Sequence, residues 1–530
     1  MCSVDGFTGS APFTIEEYTS FNKERGPDGS NHYSDDQISI GHNLLAIKPN
    51  TSPQPVIDER TGNVFAYNGE LYDLKENDTE TLFNLIQDNQ WKTIYSELNG
   101  QWAFAYYDRA REKVILGRDH FGVKPMFYME LNYELYFSST IKPLMAVLNL
   151  FQYGVELDEV TTERYHLRSR FLTGVHTPFK YIKKLAPGEV KVWDNRKKQF
   201  QQSKTHWNEK FWDLTPNYSW TVDELRELTQ KAFKNTAQAD PHVTLSLSGG
   251  LDSSLIAGIC HKQLDSVTST KFVRSKTVQP DNPRMFDEYS MAKRTAELLE
   301  LKLNTAEVRA TDVEECIMFP SFDKNRLMPR LANVRRAAKA GAKIMLNGDG
   351  SDEMLTGYNG DHLMADGEDY PYRHGNSYQN LAGRAKFLMK DIEMICNKRC
   401  MKRDHLNNFL FERTLINCDG YNLVSDYLCG MYGMESRPPF QYQELAKFLL
   451  NIPGAMKYHS PNPEYRPGNY KGILRDNFTD FIPDEVLSRK LKTGFASPWN
   501  SRGDRKNREL GQNQLNEIIN QSEQLSFKEE

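Results

Sequence analysis

The sequence predicts a chain in two parts: a mostly β N-terminal domain of the α+β class, then an α/β domain built on a parallel sheet. Three observations carry that prediction. A chain of 530 residues exceeds what one ordinary hydrophobic core serves, so it should divide into domains. Its N-terminal part repeats short bursts of alternating apolar and polar residues, the period of half-buried strands. Beyond Trp193 the pattern changes to strand-like runs separated by helix-length segments, which indicates a parallel sheet.

In chain order the bursts are "DDQISIGHNLLAIK", "NVFAYNGELYDL", "WAFAYYD", "KVILGRD", "PMFYME", "YELYFSS" and "GEVKVWD", set apart by turn residues. A few helices accompany them, one around Glu80 to Gln87. "DNRKKQFQQSKTHWNEK" is polar and aperiodic and reads as a linker. In "VDELRELTQKAFKN", Leu225, Leu228 and Ala232 recur at helical spacing. "VTLSLS" then reads as a strand and "SSLIAGICHKQL" as a helix. "KFVRS" and "DEYSMAKRTAELLEL" repeat the alternation, and "KIMLNGDG" is a third strand ending in a Gly-rich turn. Domains are expected at 2–205 and 206–505, followed by a polar tail at 506–530 that is mobile or a loosely docked helix.

Composition excludes several classes of function. Lys+Arg at 66 against Asp+Glu at 71 gives a formal net charge of -5, no footprint for nucleic acid or an anionic membrane. Small-molecule substrates are expected instead. No apolar run approaches the ~18 residues of a membrane helix, so the protein should be soluble. Seven cysteines, an odd number without a secretory leader, point to a reducing compartment, the cytoplasm. A homodimer is the default oligomer.

The chemistry concentrates in two turns. In "LSLSGGLDSSLIA", Leu245 to Ala257, paired glycines at the start of a helix free backbone amides to hold phosphate oxygens, yet no Walker A lysine follows. Asp252 within it is placed to hold a magnesium ion. The second turn, Gly348-Asp349-Gly350-Ser351-Asp352-Glu353, also follows an apolar strand and should bring three carboxylates to the same sheet edge. Breaking ATP between its α and β phosphates requires the pyrophosphate leaving group to be held and neutralised. It does not require a lysine on the γ-phosphate. Either turn alone can equally just end a strand; the pair together favours function.

These turns resemble motifs of the glutamine-dependent asparagine synthetase family: "SGGLDS" is similar to its pyrophosphatase loop and "LNGDGSDEMLTGY" to its second ATP-site motif. "GMESRPPF", "YKGILRD" and "SRKLKTGFASPW" follow in the family's order. "MCSVDG", "RGPDG", "YNGELYD", "NDTE", "GRDHFGVKPMFY" and "KKLAPGE" match in the N-terminal half. The resemblance implies an N-terminal nucleophile (Ntn) glutaminase domain of class II, with stacked antiparallel sheets flanked by helices, joined to a PP-loop ATP pyrophosphatase domain. Cys2 is then the nucleophile. Once Met1 is removed, its own α-amine, of reference pKa about 7.7 to 8.0, is a base tethered beside the sulfur. Asn68 and the Gly69 amide resemble the oxyanion hole, and Glu70 and Asp78 the groups that bind the glutamine amine.

In the second domain the resemblance assigns Ser246, Ser248, Gly249, Gly250, Asp252 and Ser253 to ATP and pyrophosphate, Asn347 and Gly348 to the adenylate, and Asp252 and Asp352 to Mg2+. Lys471 aligns with a lysine thought to neutralise phosphorus during adenylation. Asp349 stands where an acidic residue, usually glutamate, serves the amide-forming step. The implied reaction makes asparagine, AMP and pyrophosphate from aspartate, ATP and glutamine, with ammonia passing through an internal tunnel.

Several positions depart from the family. Leu44 replaces an arginine expected to bind the glutamine carboxylate, with Arg60 a candidate substitute. Glu24 and Ser3 replace a histidine and a glycine, and Gln441 and Tyr442 a leucine-aspartate pair. These leave open a relative that amidates another carboxylate, or one that uses free ammonia; a stand-alone glutaminase or a binding relative is the reading from a different class. Cys396, Cys400, His405 and Cys418 are spaced too widely for a usual zinc site and read as ordinary residues. His120 is expected to sit beside a structural Arg118 and Asp119 pair rather than to be a ligand.

Overall fold

Alternation in the N-terminal half becomes two stacked antiparallel sheets. Their strands are β1 (Ser3–Thr8), β2 (Gly29–Ser34), β3 (Ile38–Leu44), β4 (Val56–Ile57), β5 (Val64–Leu71), β6 (Gly100–Asp108), β7 (Lys113–Arg118), β8 (Phe127–Leu131), β9 (Glu134–Ser138), β10 (Lys183–Lys184), β11 (Glu189–Asp194), β12 (Gln199–Phe200) and β13 (Lys204–Thr205). One sheet runs β10-β8-β9-β1-β3-β2, the other β12-β11-β7-β6-β5-β4 with β13 also on β11. The computed structural model describes residues 1–48, 52–74, 77–158, 174–201, 204–206, 212, 215–238, 242–263, 271–276, 288–308, 324–358, 405–458, 470–489, 513 and 516–527.

Period-two geometry sorts the side chains. Val64 and Ala66, Ala103 and Ala105, and Val114 and Leu116 face the space between the sheets, with Val4, Ile38, Ile40 and Phe137 opposite. Their sequence neighbours Phe65, Tyr67, Trp102, Phe104 and Tyr106 pack under the helices Asp78–Gln87 and Trp91–Ser96. The outer face of the first sheet carries Phe7, Met129 and Tyr136 against Tyr18 and the helix Lys142–Leu150. "WAFAYYD" departs from the alternation expected of it, because both faces of β6 are buried. The helix expected from Glu80 begins two residues earlier, because the Asn77 side chain accepts from the Thr79 amide and caps it.

The second domain is a parallel sheet of β14 (His242–Leu245), β15 (Lys271–Lys276), β16 (Leu303–Glu307), β17 (Ala342–Leu346) and β18 (Glu435–Arg437), in the order β16-β15-β14-β17-β18. A Thr221/Glu224 capping box starts the helix Val222–Ala237 ahead of it. The chain runs outward from β14 to β16, then returns to lay β17 on the other side of β14. Ligands of such sheets bind at that switch point, outside the carboxyl ends of the strands, and both Gly-rich turns leave from there.

Three expectations need correction. The stretch expected as a linker contributes β12 and β13, paired to β11 through Trp193↔Phe200 and Val190↔Lys204; edge strands exposed on one side need little apolar periodicity. The tail, expected to be mobile or a loosely docked helix, packs closely over 516–527: Ile518 is fully buried, the Asn149 amide donates to the Ser522 carbonyl at 2.6 Å, and Phe527 stacks on Phe13 at 4.0 Å between centroids. Arg118 does not pair with Asp119. It reaches Asp419 of the helix His405–Gly430 at 2.9 Å and donates to the carbonyls of Lys124, Leu185 and Gly122, while Asp119 caps the amides of Phe121, Val123 and Lys124.

No helix among the described residues is long and apolar enough to cross a membrane.

Candidate active sites

Two centres form, one per domain. In the first, Cys2 leads into β1 and its Sγ accepts from the Leu45 amide at 3.4 Å, just past β3. Burial pushes the Cys2 thiol up, against a downward pull from the terminal amine, and burial pushes the Met1 amine down to about 5. Asn68, Gly69 and Glu70 lie on β5. Asn68 is fully buried, and neither polar atom of its amide has a partner among the described residues. A Cβ on Gly69 would meet the Gln101 carbonyl oxygen at 2.2 Å, so β5 and β6 require glycine there. Asp78, the first residue of its helix, accepts from the Leu71 amide at 3.4 Å. Burial raises the Tyr67 hydroxyl far above its usual range, and the charges of Asp78, Glu70 and Cys2 add to the effect.

Sequence reasoning missed the cations around Glu70. Lys48 pairs with its Oε1, and Arg437, fully buried on β18, donates to its Oε2 at 3.2 Å. Burial still raises the Glu70 carboxyl above its ordinary range against the pull of Arg437. Only the motif "GMESRPPF" hinted at Arg437; nothing local marks Lys48, since both contacts join residues distant in sequence. Arg60 is exposed in the β4–β5 turn, six or more residues of extended chain from Glu70 and at the opposite end of β5. That position sets it apart from the Glu70 end of β5.

In the second centre, every ATP-site residue expected from the sequence lines one cleft of about 270 Å³: Ser246, Ser248, Gly249, Gly250, Asp252 and Ser253 from the first turn, Asn347, Gly348, Asp349 and Asp352 from the second, with Lys471. Gly249 has φ +73°, and a Cβ on it would meet the Met291 carbonyl oxygen at 2.6 Å. The Ser248 and Ser253 hydroxyls lie 2.9 Å apart, and Ser248 Oγ accepts from the Gly250 amide at 3.2 Å. Gly350, at φ +101°, turns the chain after Asp349.

Lys471 ties the turns together. Its Nζ lies 2.5 Å from both Asp252 Oδ1 and Asp352 Oδ1 and 3.0 Å from Ser351 Oγ. Burial alone would lower the amine, but the two carboxylates outweigh it and hold the pKa above its ordinary value, so Lys471 stays charged. The oxygen donors suit Mg2+, which binds one or two carboxylates plus substrate phosphates. Asp349 is clamped by Arg330 through contacts of 3.1 and 3.3 Å and accepts from Ser425 at 3.2 Å. Asn347 donates to Ser436 Oγ at 2.8 Å.

Of the three carboxylates expected at this edge, Glu353 is absent from the cleft. It is buried, taking hydrogen bonds from Tyr358 and Asn417, because one further helical step turns its side chain inward. Gln441 exchanges hydrogen bonds with Asn422 and donates to the Asp349 carbonyl at 3.2 Å, and Tyr442 bonds Asp73 of the first domain. His120 is buried with its Nε2 2.8 Å from the Tyr95 carbonyl, and burial lowers it to about 3. Cys418 is buried; Cys396, Cys400 and the His405 side chain lie outside the described residues.

Fold and sites together define a class: an Ntn-type glutamine amidotransferase domain joined to an ATP-using ligase domain. Comparison with known proteins agrees. A glutamine amidotransferase domain matches residues 1–207 and asparagine synthase matches residues 224–529. This chain belongs to the asparagine synthase family. It is 25% identical over 560 residues to the glutamine-hydrolysing asparagine synthetase 3 of Bacillus subtilis (strain 168), covering 92% of this chain and 86% of the relative. It is similar also to two proteins named amidases: chry2 of Gibberella zeae, 24% identical across 94% of this chain and 90% of the other, and chyE of Penicillium rubens, 27% identical across 90% and 84%.

Proposed function

We propose that this protein is a glutamine-hydrolysing asparagine synthetase, joining ammonia to the side-chain carboxylate of aspartate with ATP cleaved to AMP and pyrophosphate. The observation that carries the reading is Lys471, fixed between Asp252 and Asp352 where both Gly-rich turns converge. A charged amine there meets the α-phosphate as negative charge builds on it, and the Ser248 to Ser253 turn receives the departing pyrophosphate. Asp252 and Asp352 would hold magnesium, which supplies further charge neutralisation for pyrophosphate.

In the other centre, Cys2 Sγ attacks the glutamine side-chain amide and ammonia leaves. The resulting thioester is hydrolysed by water to glutamate. Asn68 Nδ2, unpartnered among the described residues, is available for the oxyanion. Removal of Met1 exposes the α-amine of Cys2, which serves as base. The aspartate carboxylate meanwhile attacks the α-phosphate, giving a β-aspartyl adenylate from which ammonia displaces AMP. Water must be kept from that acyl group, which it would hydrolyse.

A second reading, amidation of a different carboxylate, draws on Gln441 and on the Arg330–Asp349 clamp beside the adenylate position, and on the amidases among the relatives. Pyrophosphate release with magnesium-ATP separates the two. Aspartate with glutamine should yield asparagine, and Cys2→Ala should retain only ammonium-driven synthesis. Absence of pyrophosphate with aspartate under any nitrogen source would overturn the assignment of the acceptor.

A further inference from the structure

The two cations on Glu70 are not equivalent. Arg437 is fully buried; its Nε is held by Glu435 Oε1 at 2.7 Å and its Nη1 by the carbonyls of Thr236 and Gln238 at 3.1 and 2.9 Å. It cannot leave Glu70 Oε2 without breaking those bonds. Lys48 is 30% exposed, sits on a four-carbon stem, and has Glu70 as its ion-pair partner among the described residues. A mobile ammonium therefore occupies one oxygen of a carboxylate whose other oxygen is locked.

The surroundings say what exchanges with it. Lys48 lies three residues past Leu45, whose amide touches the Cys2 sulfur, and Glu70 lies two residues past Asn68 on the same strand. We propose that Lys48 is a counterion displaced by substrate that selects glutamine as a zwitterion: the substrate's α-ammonium takes over Glu70 Oε1, and the released Lys48 pairs with its α-carboxylate. The inference rests on the N-terminal centre being a glutamine site. Replacing one ammonium by another leaves the buried carboxylate paired throughout, so exchange avoids the cost of an uncompensated charge. The new ion pair forms only with a ligand carrying a carboxylate at Cα, and neighbouring Leu44 offers no competing cation.

Calorimetric titration of the Cys2→Ala protein with L-glutamine and with L-glutamine α-amide, which keeps the ammonium and lacks the carboxylate, tests this. The Lys48 form should prefer glutamine by roughly tenfold, the scale of one charge-assisted contact. In Lys48→Met glutamine should bind roughly tenfold more weakly and the α-amide no more weakly, because its competitor for Glu70 is gone; Lys48→Arg should restore the preference. A preference unchanged in Lys48→Met, or an equal loss for both ligands, overturns the inference and leaves the glutamine site standing. Failure of the Cys2→Ala protein to bind glutamine, with no glutamine hydrolysis by the unaltered protein, overturns both.

Discussion

Asn68 shows what a single residue contributes. A buried amide left unpaired costs about 1–3 kcal/mol, and Asn68 carries two such atoms among the described residues, so its retention at the start of "NGELYD" is a cost to the fold. Asn68→Ala should therefore slow glutamine hydrolysis by about 10²- to 10³-fold while the thermal midpoint holds or rises. A normal hydrolysis rate would remove Asn68 from the oxyanion role. Its position in a strand was readable from the sequence; its lack of partners was not, because that depends on everything packed around it.

At the scale of elements, the first Gly-rich turn owes its shape to one glycine. Gly249 combines a positive φ with contact to the Met291–Ala292 backbone, so a methyl group there meets main chain that cannot rotate away. Gly249→Ala should destabilise by about 1–3 kcal/mol and weaken ATP binding, measured by thermal unfolding with and without nucleotide. Equal midpoints and equal nucleotide affinity would show that the turn tolerates another shape. The C-terminal segment makes a comparable point. Truncation at residue 515 removes Ile518 and Phe527 from their buried sites and should cost about 2–4 kcal/mol, with Phe13 exposed to proteolysis. The segment looked polar because, over 516–527, only Ile518, Ser522 and Phe527 are buried.

The domains meet through buried charge. Lys124 pairs with Glu435 at 3.0 Å, Glu435 with Arg437, and Arg437 with Glu70, so alternating charges cross from one domain to the other and back. Between Glu435 and Arg437, Ser436 points the opposite way and accepts from Asn347 in the ATP cleft. Arg437→Leu leaves Glu70 and Glu435 without their shared partner and should destabilise by about 3–5 kcal/mol, seen as a lower midpoint in denaturant. The same network sets a dependence on acid. Burial alone would raise the Glu435 carboxyl, but Lys124 and Arg437 outweigh it and hold it at about 2 against an ordinary 4.5. Its contribution to stability is therefore complete above pH 4.5 and is lost as pH falls toward 2. Glu435→Gln should flatten that part of the stability profile; an unchanged acid limb would mean other carboxylates control it.

The sequence by itself determined the two domain classes, most strands of both and the two turns of the ATP cleft, because hydrophobic period and glycine placement are local properties. β16 and β18 escaped notice: one is half exposed and largely polar, the other is three residues long, and neither has room for a period. Tertiary structure alone decided which charges meet. Lys48 with Glu70, Arg118 with Asp419, and Arg330 with Asp349 are pairs 19 to 301 residues apart. It also decided that Lys471, more than a hundred residues from either turn, stands between their carboxylates. An ion pair follows from where side chains converge after the sheets have closed, and no local pattern in the chain encodes that convergence.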